Sequence, residues 1–220
     1  MSIFSRSLSE LSSSHTPSRW LYVPYDQLSD AFGPLSRCDP RSIGIVLIET
    51  TWKPAQRLYH KQKLALLLSA QRHFALEQAR KGVTVRYVFG QTPYAELLAD
   101  LIDELGPLEV MEPAERELRA QLAPLVSDGR LTVAQHEGWL TERSDFIAAT
   151  ANKKTWRMDA FYRVVRKRYE VLLDDAGKPL GGKWSHDADN RRRWPGDPAP
   201  PPAVTFHVHP VTAEVCEMVQ

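Results

Sequence analysis

Thiols are scarce in this chain: Cys38 and Cys216 are its two cysteines in 220 residues. Two cysteines so far apart exclude a disulfide framework and a cysteine-built metal site, and they fit a reducing, cytoplasmic compartment. Long apolar runs are missing as well. No stretch reaches the roughly 18 residues a membrane-spanning helix needs. The serine-rich segment 1–18 has no apolar core, which excludes a secretory signal, and it reads as a disordered leader. Net charge is nearly absent, at +1. Nucleotide signatures fail too. No G-x-G-x-x-G follows the first apolar run, so ordinary dinucleotide binding has no support. Gly177 to Lys183 fits G-x-x-x-x-G-K, but Trp184 stands where a phosphate loop needs Ser or Thr to hold magnesium. No G-x-S-x-G nucleophile elbow is present.

What is present is an alternation of strand and helix patterns. Arg19-Trp-Leu-Tyr-Val-Pro24 reads as a first strand closed by proline. Ser42 to Ile48 is a continuous apolar run, the pattern of a strand covered on both faces of a parallel sheet. A long Ala/Leu-rich helix from Tyr59 ends at Gly82. A strand over 83–89, a helix over 94–105, a strand over 108–111, a helix over 114–125 and a strand over 131–134 complete the order. The spacing predicts an α/β domain over 19–151, doubly wound around a mainly parallel five-stranded sheet.

Ligands of such sheets bind at the carboxyl ends of the strands. Tyr25, Asp26, Gln27 and Leu28 follow the first strand there, and Glu49 ends the second. Asp26 and Gln27 are either an acceptor and an amide for a heterocycle or ordinary turn chemistry. Glu49 needs a partner if buried, and is either a cap or a pocket wall. His60, at the start of the long helix, lies near the same edge, whereas His73 reads as a structural histidine. His207 and His209 with Cys216 are too weak a pattern for a metal site.

Residues 152–193 form a separate segment. From Lys153 to Arg193 there are twelve Lys/Arg against six Asp/Glu, on an otherwise acidic chain. Met158, Phe161, Tyr162, Val165, Tyr169 and Leu172 keep helical spacing, which sets Arg163, Arg166 and Lys167 on the opposite face. Asp174 to Gly177 is the expected stop. A basic surface of this kind meets nucleic acid, an anionic lipid surface, or water. Residues 194–220 open with a proline-rich linker, Trp194 to Pro202.

This basic segment carries a resemblance. Met158, Phe161, Tyr162, Arg163 and Arg166, then Pro179, Gly181, Gly182, Trp184, Asp187, Asn190 and Arg191, resemble a signature of the deoxyribodipyrimidine photolyase-related proteins, the iron–sulfur bacterial cryptochromes and photolyases. Asp159 and Ser185-His186 depart from it. Asp26-Gln27-Leu28 match the family's Gly-Asp-Gln-Leu, with Tyr25 in place of the glycine. The long helix is similar to His-x-Lys-Lys-x-x-x-x-Leu-Ser-Ala-Met-Arg-His-Phe-Ala, matching at His60, Lys63, Leu68, Ser69, Ala70 and Arg72 to Ala75. Glu112-Pro113-Ala114-Glu115 is similar to the family's Glu-Pro-Gly-Glu element.

The resemblance implies a photolyase antenna domain, the light-harvesting module of a DNA-repair or blue-light-sensing flavoprotein. It implies a pocket for 6,7-dimethyl-8-ribityllumazine at Tyr25, Asp26, Gln27, Leu28, Glu49 and His60. It implies contact with DNA or a neighbouring domain through Arg163, Arg166, Lys167, Lys183, Trp184, Asn190 and Arg191. FAD and a 4Fe–4S cluster are expected in a helical domain outside this chain, of which residues 204–220 read as the start. Two cysteines cannot hold such a cluster, which takes four thiolates. The expected partners are therefore a separate FAD-binding domain and, through it, DNA, with no membrane. The alternatives are a free-standing heterocycle- or nucleotide-binding module, or an inactive truncated photolyase.

Overall fold

The computed structural model describes residues 1–12, 15–151 and 155–220. The elements run α1 (Ile3–Glu10), β1 (Arg19–Tyr22), β2 (Ile43–Thr50), α2 (Trp52–Gln56), α3 (Lys61–Arg80), β3 (Thr84–Gly90), α4 (Tyr94–Leu105), β4 (Leu108–Met111), α5 (Arg116–Ser127) and β5 (Leu131–Ala134). They continue with α6 (Arg143–Thr150), α7 (Met158–Arg168), α8 (Asp187–Asn190) and α9 (Pro210–Met218). The chain divides into two units. One is Met1–Gly138 with Phe206–Gln220, and the other is Trp139–Thr205.

The first unit is built on one five-stranded sheet of order β3-β2-β1-β4-β5, with every neighbouring pair parallel. This is the doubly wound α/β fold that the spacing predicts. All eight residues of β2 are buried, as its unbroken apolar run requires of a strand with helices on both faces. The two-residue period divides it. Val46 and Ile48 join Leu98, Leu101, Leu118 and Leu122 in a core under α4 and α5. Ile43, Ile45 and Leu47 join Phe74, Leu76 and Val211 in a second core under α3 and α9. Gly44 leaves room for the Trp20 ring of β1: a Cβ there would stand 2.4 Å from its Cε3. The chain winds outward from β1 to β3, then crosses back to β4 on the far side of β1. The order therefore reverses between β1 and β4, the switch point where such sheets bind ligands.

Both ends of the chain depart from expectation. Ser13 and Ser14 lie outside the described residues, but the rest of the expected leader is not disordered. Ser2 caps α1 by accepting from the Ser5 amide at 3.0 Å. Phe4 is fully buried, its ring 4.6 Å from that of Tyr87. Composition suggested disorder because serine dominates, yet one aromatic with a waiting pocket is enough to order two turns. The far end, expected to open a further domain, packs onto the first unit. Val211 and Val215, four residues apart, are buried, and Glu214 accepts from the amides of Ile3 and Phe4 at 3.0 and 3.1 Å. That carboxylate sits at the N-terminus of α1, where the helix dipole favours it.

In the second unit, α7 stops a turn before the apolar pattern does. Tyr169 closes it, and Glu170 and Leu172 take left-handed φ values of 54°. Asp174 to Gly177 then forms a turn of its own: Asp174 accepts from the amides of Ala176 and Lys178, and Gly177 sits at φ 70°.

If α1 is an integral part of the first unit, Phe4→Ala will lower its unfolding free energy in urea by about 3–5 kcal/mol, the usual loss for a buried phenylalanine. A disordered leader would give no change.

Candidate functional site

A cavity of about 130 Å³ opens at the carboxyl ends of β1 and β2, beside the switch point. Its walls come from five places. Tyr25 follows β1, and Ile48 to Thr50 close β2. Leu64, Leu67, Leu68 and Gln71 project from α3 at i, i+3, i+4 and i+7, one helical face. Tyr94 opens α4, and Glu115 precedes α5. Tyr59, Lys63, Lys53 and Pro54 complete the rim. The lining is aromatic and aliphatic with a few polar groups, the make-up of a small-molecule site.

Its charged groups are engaged with one another. Glu49 accepts from Arg72 Nε at 2.9 Å and Nη2 at 2.7 Å, and from the Tyr87 hydroxyl at 2.7 Å. Both members of this ion pair are buried. Burial works against the Arg72 charge, but the bonds to Glu49 outweigh it and leave the guanidinium pKa raised. Glu115 accepts from the Tyr25 phenol and from Lys53 Nζ, and Lys53 also donates to the Tyr25 oxygen at 3.2 Å. Burial pushes the Glu115 carboxyl up, yet the bonds from Lys53 and Tyr25 prevail, so its pKa is lowered. The Tyr25 phenol moves the other way, raised first by burial and then by its bond to Glu115. Burial likewise raises Tyr94. The cavity is therefore walled by neutral phenols and closed ion pairs.

Of the expected lining residues, the structure brings together Tyr25 and Glu49. Asp26 is exposed. Gln27 is buried, donating to the carbonyls of Met111 and Glu112 at 3.1 and 3.2 Å, so it ties the loop after β1 to the end of β4. Leu28 packs with the core under α3. His60 is the N-cap of α3, accepting from the Gln62 amide at 3.2 Å, and is exposed. Sequence reasoning missed Lys53, Tyr59, Tyr94 and Gln71. Tyr94 starts a helix right after a strand end, a position that carries its own signal. His73, read as structural, lies 2.9 Å from Thr212 and edge-on to His209, itself the N-cap of α9. Burial, then the neighbouring His209, lowers the His73 pKa. Among the described residues no three His, Cys, Asp or Glu side chains gather as a metal site, and no helix is long and apolar enough to cross a membrane.

The basic segment begins at Asn152, Lys153 and Lys154, which lie outside the described residues. Arg163, Lys167, Lys183, Asn190 and Arg191 are exposed, and Trp184 is half-buried. Arg166 overturns its assignment to a solvated basic face: it is 6% exposed. It donates to the carbonyls of Val171 at 3.1 Å, Leu172 at 2.5 Å and Trp184 at 3.3 Å. Its guanidinium lies over the rings of Tyr162 and Trp184. A fork of donors suits several carbonyls at once. Arg166 is thus a clamp on the turn that follows α7.

A parallel sheet with helices on both faces and an aromatic cavity beside its switch point defines a doubly wound α/β module. Residues 21–220 match the family described as deoxyribodipyrimidine photo-lyase-related protein. The chain belongs to that family. It is 29% identical over 204 residues to the (6-4) photolyase of Agrobacterium fabrum (strain C58 / ATCC 33970), covering 89% of this chain and 40% of that protein. It is 28% identical over 94 residues to the uncharacterized protein R852 of Acanthamoeba polyphaga mimivirus, covering 40% of this chain and 47% of that one. The chain therefore spans less than half the length of either relative.

Two outcomes follow. The lowered pKa of Glu115 contributes stability that is full above the unfolded glutamate pKa, about 4.3, and is lost as pH falls through the folded value. Glu115→Gln will therefore flatten the acid limb of a melting-temperature profile below about pH 4.3 and cost stability above it. Separately, Arg166→Ala will speed proteolysis within 169–184, because the turn after α7 loses the donors that tie the carbonyls of Val171, Leu172 and Trp184 to the helix. Arg163→Ala, removing an exposed side chain paired with Asp159 at 3.6 Å, will not.

Proposed function

We propose that the α/β unit is the light-harvesting module of a photolyase-related flavoprotein, holding a flat heterocyclic chromophore of the 6,7-dimethyl-8-ribityllumazine type. The observation that carries this reading is the cavity at the switch point, framed by Tyr25, Tyr59 and Tyr94 and free of unpaired charge in its floor. An antenna needs a rigid, dry slot that holds one ring system and a few polar groups to orient it. FAD and the iron–sulfur cluster belong outside these residues in this proposal, because the thiols of Cys38 and Cys216 are too few to ligate four irons. The exposed Arg163, Lys167, Lys183 and Arg191 would face the flavin-bearing domain and, through that assembly, DNA phosphates.

Tyr25 favours a second reading. Its phenol stands where the resembled pattern has glycine, and it narrows the cavity. A smaller heterocycle or nucleotide base bound by a free-standing module would suit that space.

Fluorescence titration with 6,7-dimethyl-8-ribityllumazine separates the two. The antenna reading expects one-to-one uptake with a raised melting temperature, and tighter uptake by Tyr25→Gly. No uptake by either protein, with a melting shift from a nucleobase instead, overturns the antenna in favour of the smaller ligand.

A further inference from the structure

The polar groups that line the cavity are almost all spent on one another. Both Glu49 oxygens are taken by Arg72, with Tyr87 adding to one of them. The Glu115 oxygens are taken by Tyr25 and Lys53. Thr50 donates to the Thr92 carbonyl at 2.8 Å. Two groups stand outside these pairs: Lys63 on the rim, whose ammonium lies over the Tyr59 ring, and Gln71 in the wall. Gln71 is 2% exposed, and its Nε2 has no hydrogen-bond partner among the described residues. Ser69 and Gln121 also hold a buried, unpartnered side-chain atom, but neither lines the cavity.

Position explains the aim of this amide. Arg72, the next residue, turns to Glu49 and the core side of α3. Gln71 is rotated about 100° from it and extends the stripe Leu64, Leu67, Leu68 along the cavity wall. An apolar stripe that ends in a glutamine is unusual, because a buried amide without a partner is costly and an apolar side chain of that size is not. The resembled helix pattern has methionine at this place. A donor left unpaired in the protein, on a residue that lines a cavity, is satisfied when a ligand brings an acceptor within its reach.

We infer that Gln71 selects the ligand of this cavity by donating its amide N–H to a carbonyl oxygen or ring nitrogen on the inner edge of a flat oxo-heterocycle. The inference rests on reading the cavity as a heterocycle site, and it names the chemistry that site reads. A ring with an outward acceptor, as in a pteridine-dione or a purine-dione, pairs with Gln71. A hydrocarbon ring of the same size leaves the amide unpaired and is rejected.

The test compares wild type with Gln71→Met and Gln71→Glu, titrated with 6,7-dimethyl-8-ribityllumazine, xanthine and riboflavin. Methionine fills the space without a donor, and glutamate keeps the shape while replacing the donor with an acceptor. Both variants are expected to bind about tenfold more weakly than wild type, the worth of one hydrogen bond to a buried group. Unliganded Gln71→Met is expected to melt no lower than wild type, since it removes an unsatisfied donor. Equal binding of one of these heterocycles by wild type and Gln71→Met overturns the inference while leaving an antenna intact. So does a clear loss of stability in unliganded Gln71→Met, which would show the amide already paired inside the protein. Refusal of lumazine with Gln71-dependent binding of xanthine supports the inference and removes the antenna. Refusal of all three ligands by wild type overturns both.

Discussion

A guanidinium taken out of water must be surrounded by groups that pay back its hydration, and Arg72 is surrounded by four other elements of the first unit. Glu49 from β2 and Tyr87 from β3 form its carboxylate network. Glu214 from α9 stands 3.6 Å from it and also caps α1. The rings of Phe4 and Phe89 lie 5.4 and 5.5 Å from its carbon. Such a buried pair gives little net stability over an apolar replacement. What it supplies is position: moving any one of these elements leaves a charge unpaired in the core, so α1, α3 and α9 hold one register against the sheet.

That register shapes the cavity. With Arg72 anchored on one side of α3, the preceding glutamine and the leucines one and two turns earlier face the other way. They meet Ile48 from the same strand that supplies Glu49. The Lys53–Glu115–Tyr25 cluster closes the opposite wall in the same fashion, by pairing every charge it brings. Apart from Lys63, which lies over the Tyr59 ring, the charges of this cavity are paired with one another. What it would offer a ligand is shape, the faces of its tyrosines and the unpaired Gln71 amide.

Much of this was legible before any coordinates. The apolar run ending at Glu49 marks a strand covered on both faces, and helix α4 and strands β4 and β5 have the bounds the pattern assigns. The edge of the sheet was legible too, and with it Tyr25 and Glu49. Other assignments failed where a residue's role depends on a distant partner. Phe4 meets Tyr87 and Arg72, which nothing in a serine-rich leader announces. Arg166 looks solvated on a helical wheel because the wheel leaves out the carbonyls of Val171, Leu172 and Trp184, which fold back onto it. Gln27 sits two residues from Tyr25, yet it serves the carbonyls at the end of β4 and not the cavity.

Period, turn residues and run length are local quantities, and they were enough for the order of strands and helices and for the residues at the carboxyl edge of the sheet. Which polar group is consumed by the protein and which is left over depends on distances between residues far apart in the chain. Glu49 and Arg72 are separated by 23 positions, and Tyr25 and Glu115 by 90. Only folding brings these groups within hydrogen-bond reach, and only then does Gln71 emerge as an unmatched buried donor on a cavity-lining residue.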